Sequence, residues 1–417
     1  MTLSPLAQRS PFGGRFEVER EVGRGGVGIV YRAFDRETEL WVALKLIAVQ
    51  GVDASEEARF LREGKLLQEL DHPHIVRLVA CGTLEDTPYV AMEWLEGEDL
   101  AARNKRAAFG LRDALEVARQ IAVALEAAHN AGIIHRDIKP SNIFLVNDPS
   151  SDKPFAKLVD FGVALEDDVR LTRTGVVVGT PAYMAPEQAK ADGQLDARAD
   201  IYSLGASLFE LVAGRPPHVG PTAIATLARL VTTDAPRLSE LVPLVPAPLD
   251  HLVFAMLATD PARRPTSARH VADTLAALTG DASTTDVTLP RSGPSVQTTA
   301  AVQGTRLFTS IVGLRMGGGE GRAKIVEQLR HRGADAVALG QDAVVAHLGA
   351  RRSLGGEAPR ALELGRFLAE KGGKVGVATG RSKVDLTRPV GEVVDRAAGL
   401  AHSADPSQVL ADTTTTE

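Results

Sequence analysis

The chain has 417 residues, of which 44% are hydrophobic and 24% charged, a globular balance that excludes a wholly disordered protein. Its 47 Lys and Arg against 53 Asp and Glu leave a net charge of −6, which argues against nucleic acid as a partner, because sequence-independent binding needs basic residues to neutralise phosphates. A single cysteine, Cys81, excludes an intrachain disulfide and a thiolate zinc site, and no apolar run is long enough for a membrane span.

At roughly 150 residues per domain the length predicts two or three domains. Residues 1–15 hold Pro5, Pro11, Gly13 and Gly14 and read as a flexible N-terminus without the apolar core of a secretory signal. With one cysteine and no signal, a cytoplasmic location is expected. From Phe16 to Trp94 short β-branched runs (FEVEREV, GIVYRAF, WVALKLIAV, YVAMEW) predict strands. One stretch among them, SEEARFLREGKLLQEL, spaces Phe60, Leu61, Leu67 and Leu70 near a period of 3.6 and predicts an inserted helix. LRDALEVARQIAVALEAAHNAG then predicts a long amphipathic helix that stops at Gly132. Further helices are expected in ADIYSLGASLFELVAG, TAIATLARLVT, PLDHLVFAMLA and SARHVADTLAAL. Residues 280–304, rich in Thr, Ser, Pro and Gly, read as a linker. Beyond it, strand and helix patterns follow the order β-α-β-β-α-β, with a hairpin about Gln341-Asp342, which predicts a ferredoxin-like α/β sandwich over 305–417.

Chemistry concentrates in residues 16–279. Gly23-Arg24-Gly25-Gly26-Val27-Gly28 spells GxGxxG, as a dinucleotide-binding loop does, but that loop needs a helix after its last glycine. Here the strand-like GIVYRAF follows, so the glycines read as a hairpin lid whose backbone can approach nucleotide phosphates. Lys45 ends the run Val42-Ala43-Leu44-Lys45, where an ammonium can hold phosphates as a point charge and needs a carboxylate to orient it. Glu63, on the inserted helix, is the natural choice, ahead of Glu69. In His135-Arg136-Asp137-Ile138-Lys139-Pro140-Ser141-Asn142, Asp137 can face a substrate hydroxyl and Asn142 can offer an amide oxygen to Mg²⁺. Asp160-Phe161-Gly162 supplies a second hard oxygen ligand, and Ala185-Pro186-Glu187 closes the segment.

In this order and spacing, residues 16–279 resemble a eukaryotic-type (Hanks-type) serine/threonine protein kinase of the bacterial kind. The resemblance implies an α+β, bilobal fold, with a β-rich N-lobe and a helical C-lobe. It implies ATP and Mg²⁺ as cofactors and proteins bearing Ser or Thr as substrates. It assigns Val22, Gly23, Gly25, Gly28, Val30, Ala43, Lys45, Glu93 and Leu95 to ATP binding, with Met92 behind the adenine pocket. Lys45 and Glu63 would form the ion pair of the active state, Asp137 would be the catalytic base, and Lys139 would stabilise the transferring phosphoryl group. Asn142 and Asp160 would hold magnesium. Thr180 would sit in the substrate-docking loop, Glu187 would pair with Arg264, and Asp200 would anchor the catalytic loop. Arg136, just before the base, can pair with a phosphorylated activation loop, and Thr172 and Thr174 resemble autophosphorylation sites.

Residues 305–417 resemble a class III nucleotidyl cyclase domain in RLFTSIVGL, GQDAVVAHLG, KVGVATG, PVGEVVDRAAGLA and SQVLADTT. Active members need two metal-binding aspartates. Asp342 falls at the second position, with Gln341 where a glycine is usual, but Ser310 occupies the first. The helix that normally supplies an asparagine and an arginine shows Asp395 and Gly399. The resemblance therefore implies a degenerate, non-catalytic module for dimerisation or partner binding, with a homodimer through this domain or the kinase as the implied assembly. A bifunctional kinase and cyclase, or a kinase-fold signalling scaffold, are the alternatives. The chain stops in TTTTE just past an expected strand, which leaves room for a longer natural protein.

Overall fold

A computed structural model describes residues 12–25, 28–47, 62–84, 87–107, 109–147, 153–161, 181–190, 195–220, 223–280, 305–316, 320–339, 343–349, 357–385, 388–389 and 392–416. The expected linker over 280–304 lies outside them apart from Gly280. The chain divides into two compact units, 1–167 with 267–286 and 168–266 with 287–417.

The first unit opens with β1 (Phe16–Gly25), β2 (Gly28–Asp35) and β3 (Leu40–Ile47). Helix α1 covers residues 62–68. Strands β4 (Leu78–Leu84) and β5 (Thr87–Glu93) complete an antiparallel sheet in the order β1-β2-β3-β5-β4. Strand β4 was not expected. Its sequence LVACGTL carries small residues in place of a clear alternation, and pairing along β5 is what makes it a strand. Cys81, on this strand, is half-buried.

Side chains alternate across a strand, so the register sorts residues by face. Tyr31, Leu44 and Ala91 line up across β2, β3 and β5, and they bury with Phe16 and Val42 into the core of this sheet. Val30, Lys45 and Val90 line up likewise on the opposite face, beside Ala43 and Met92.

Strand β6 (Gly97–Asp99) leads into α2 (Leu100–Arg106), whose first turn is capped by the Asp99 carboxylate accepting from the Ala102 N–H at 2.8 Å. Helix α3 (Leu111–Asn130) buries a stripe that includes Leu115, Ile121 and Leu125. It ends as expected at Gly132, whose φ of 75° suits glycine, with the Ile133 N–H donating back to the Ala128 carbonyl at 2.9 Å. Strands β7 (Ile143–Val146) and β8 (Phe155–Leu158) join β6 in a small sheet ordered β6-β7-β8.

In the second unit α4 (Pro186–Lys190), α5 (Arg198–Ala213), α6 (Ala223–Thr232), α7 (Leu238–Leu241) and α8 (Ala247–Met256) follow. Helix α9 (Ala268–Thr279), capped by Ser267, returns to the first unit and packs along α3.

The C-terminal part of the second unit runs β9 (Thr305–Leu314), α10 (Glu320–His331), β10 (Asp335–Leu339), β11 (Ala343–Leu348), α11 (Glu357–Glu370) and β12 (Lys374–Asp385). Then come β13 (Arg388–Pro389), α12 (Glu392–Ser403), β14 (Val409–Ala411) and α13 (Thr413–Thr416). The sheet order is β10-β11-β9-β12-β13, antiparallel throughout, with β14 added parallel to β12. One face, with Ile311, Ala346 and Val377, packs in a core with Leu329, Leu364 and Leu368 of α10 and α11. The other face carries Ser310, Val312, Val345 and Gly376. Helix α12 lies so close to it that a Cβ on Gly376 would stand 2.0 Å from the Ala397 carbonyl oxygen.

Candidate active site

The catalytic-loop residues converge within the first unit. Asp137 is the hub. Its carboxylate Oδ2 accepts from the Lys139 ammonium at 2.7 Å and from Asn142 Nδ2 at 2.9 Å, and its backbone carbonyl accepts from the same amide at 2.8 Å. Asn142 is only 5% exposed, so its amide is fixed, and with Nδ2 engaged on Asp137 its Oδ1 is the atom left to ligate a cation. Asp137 itself is exposed, as a group that meets substrate must be.

His135, wholly buried, ties this loop to the segment after β8 that carries Asp160. Its Nε2 lies 3.0 Å from the Val159 carbonyl and its Nδ1 accepts the Asp137 N–H at 3.3 Å, which assigns the proton to Nε2. Its ring lies tilted against that of Phe161, with centroids 4.6 Å apart. The Val159 N–H donates to the Asn142 carbonyl at 2.9 Å, so both cation-binding candidates hang on one backbone link. Two non-glycine residues of the site are left-handed, Arg136 at φ 68° and Asp160 at φ 57°, a strain of about 1–3 kcal/mol each that the surrounding bonds hold.

Lys45 does not pair with Glu63. Among the described residues its ion pair is with Asp160, at 2.9 Å. Asp160 holds a left-handed backbone at this contact, and Glu63 lies half-buried on α1.

The nucleotide-lid residues sit on the sheet face that carries Lys45. Gly23 pairs with Val30, Gly25 with Gly28, and Val30 with Lys45, while Ala43 lies opposite Met92. Val30 and Ala43 are half-buried and Val22 is 45% exposed, so the lid end of the face is open. At Gly28, φ is 156° and an added Cβ would stand 2.0 Å from the Leu46 carbonyl oxygen. Gly28→Ala is therefore expected to destabilise the fold by about 1–3 kcal/mol, read as a lower midpoint in thermal unfolding. At the end of β5 the Glu93 carboxylate accepts through Oε1 from Lys157 Nζ at 2.5 Å and from the Arg77 N–H at 2.8 Å. Half-buried Leu95 follows, its N–H without a protein partner among the described residues.

The second unit holds Glu187 on α4, and Arg264 grips it with both guanidinium ends at 2.6 and 2.7 Å. Asp200, fully buried, lies in the first turn of α5. Sequence spacing did not point to Tyr183, whose hydroxyl donates to Glu210 Oε2 at 2.5 Å; burial raises its pKa, and the adjacent carboxylate adds to the shift. Nor did it point to Tyr202, whose ring lies 5.0 Å below the Arg264 guanidinium. Gly162, Thr172, Thr174 and Thr180 lie outside the described residues, as do Gln341 and Asp342.

Comparison with known proteins shows the family. The family model for the protein kinase domain matches residues 16–275, more than half of the chain. Serine/threonine-protein kinase PknJ of Mycobacterium tuberculosis is 36% identical over 312 residues, 74% of this chain and 52% of PknJ. PknD of the same species is 40% identical over 263 residues, 62% of this chain and 39% of PknD. The chain thus spans about half the length, or less, of these curated relatives. Among solved structures, the M. tuberculosis PknI kinase domain superposes with a TM-score of 0.53 at 30% identity, covering 66% of this chain and 100% of that one.

Proposed function

Because the chain belongs to the protein kinase family, we propose that it is an ATP- and Mg²⁺-dependent serine/threonine protein kinase. The observation that carries this reading is the pairing of Asp137 with Lys139 and Asn142 in one loop, beside an ion pair between Lys45 and Asp160. Such a site does phosphoryl transfer by positioning and charge neutralisation, because the transition state is loose and needs little covalent help. The substrate hydroxyl donates to the Asp137 carboxylate and passes its proton there as the oxygen attacks the γ-phosphorus, and the bond to the ADP oxygen breaks. Lys139 neutralises the transferring group and Lys45 the α- and β-phosphates. The Gly23–Gly28 lid covers the phosphates, Val22, Val30 and Ala43 flank the base, and the backbone at Glu93 and Leu95 takes its polar edge.

The donor set suits Mg²⁺, a hard ion that takes oxygen ligands from one or two side chains and from the phosphates. Asp160 and Asn142 would hold it, and when bound it neutralises phosphate charge. Lys45→Met should lower the rate of phosphate transfer by about 10²-fold or more. Transfer of radiolabel from ATP to a Ser/Thr-bearing protein, wild type beside Lys45→Met, tests the reading. Equal transfer by both would sink it.

The same reading takes Thr172 and Thr174 as autophosphorylation sites, with Arg136 to receive the phosphate, and places the protein in the cytoplasm. It takes residues 305–417 as a degenerate cyclase-like module for dimerisation or partner binding. The order β10-β11-β9-β12 supports a ferredoxin-like topology. Ser310 is buried, its hydroxyl without a hydrogen-bond partner among the described residues, opposite Ala378 and His347. A neutral hydroxyl in that place favours the non-catalytic reading over a bifunctional enzyme, since a two-metal site needs a carboxylate there.

A further inference from the structure

Helix α6 is buried nearly all round. Ala225, Leu227, Ala228, Leu230 and Val231 are at most 2% exposed, though a helix on the rim of a domain shows one polar face to water. Helix α4 and residues 181–183 cover part of it, and residues 305–417 cover another part. Helix α12 and strand β10 both pack on α6, and β10 also touches α4. At this contact Arg229 donates from Nε to Asp395 Oδ1 at 3.0 Å and from Nη2 to Asp395 Oδ2, a two-pronged pair with Asp395 only 12% exposed. Arg229 also donates to the Val219 carbonyl at 2.6 Å, so the guanidinium is held from its own side and Asp395 closes the fork. Helix α12 in turn covers the second face of the sheet, where Val312 and Val345 are fully buried. Asp395 stands where an active cyclase would carry its asparagine, and here that position binds a helix of the kinase segment.

We infer that residues 305–417 form an in-chain cover on α4 and α6, latched by Asp395 on Arg229, that keeps protein substrates off this surface of the kinase. Helix α4 directly continues the segment between Asp160 and Glu187, the stretch that carries Thr172, Thr174 and Thr180. A folded substrate approaching that segment needs the neighbouring surface. A short peptide does not, so the cover discriminates by substrate size. The inference rests on the kinase reading above.

The test uses the full chain as wild type, Asp395→Asn, Asp395→Arg, and Asp395→Arg combined with Arg229→Asp. Hydrogen exchange over residues 223–232 and 392–403 reads the latch, and kcat/KM reads its effect on a folded protein substrate and on a short Ser/Thr peptide. Both single variants should speed exchange in both helices. They should raise kcat/KM for the folded substrate by about 5-fold or more while the peptide value stays within about twofold. The charge-swapped double variant should return both readouts toward wild type, which a simple folding defect would not do. Unchanged exchange in Asp395→Arg would overturn the latch. Faster exchange with no gain on the folded substrate, or an equal gain on the peptide, would overturn the cover. A chain that phosphorylates neither substrate in any form would overturn the kinase reading and the cover together.

Discussion

Asp137→Asn should lower kcat by about 10²–10⁴, the range for loss of a positioned base, with the KM for ATP little changed. The amide keeps the shape of the side chain and one acceptor oxygen, so the hydroxyl can still be oriented, but it cannot take the proton. It also meets donors on two sides, Lys139 Nζ at 2.7 Å and Asn142 Nδ2 at 2.9 Å, where the carboxylate accepted from both through one oxygen. Its own NH₂ group adds nothing those neighbours can accept. Steady-state transfer of labelled phosphate, beside an unfolding curve showing the variant intact, measures the effect. Near-wild-type turnover would remove Asp137 from the role of base.

Arg264→Met should cost about 3–5 kcal/mol of stability, the usual result of stripping one partner from a buried ion pair. The guanidinium side chain is fully buried, and its N–H groups reach both Glu187 oxygens and the carbonyls of Arg198, Ala258 and Thr259. Methionine fills similar volume but leaves a carboxylate and three carbonyls without those donors. Arg264→Lys should recover little, because one ammonium cannot match a five-donor fork. Glu187→Gln together with Arg264→Met should cost less than Arg264→Met alone, since no buried charge is then orphaned. At about 2–4 °C per kcal/mol for a domain of this size, the single variant should melt roughly 6–20 °C lower by differential scanning calorimetry. A drop of under about 2 °C would show that the pair is not structural.

The catalytic loop was legible because its contacts are local. Asp137, Lys139 and Asn142 lie within one turn of chain, so spacing alone limits how they can face each other. The helix stop at Gly132 was legible for the same reason, a backbone need at one position. Strand β4 was not, since LVACGTL becomes a strand by pairing with β5 and its own alternation is weak. The partner of Lys45 was not either. Spacing offered Glu63 or Glu69, while the carboxylate that reaches the ammonium comes from 115 positions away, on Asp160.

By itself the sequence determined the chemistry: which residues offer a base, an ammonium and hard oxygen ligands, and in what order along the chain. Only the tertiary structure decided which charges meet and which faces are covered. Asp160 on Lys45, Arg264 in its cage of carbonyls, and Asp395 on Arg229 are all contacts between distant segments. Helix α6 makes the physical point. Its sequence reads only as a helix, and its burial is completed by β10 and α12, which lie more than a hundred residues later in the chain. Periodicity reports the face a helix would bury alone, whereas burial depends on every element that packs against it.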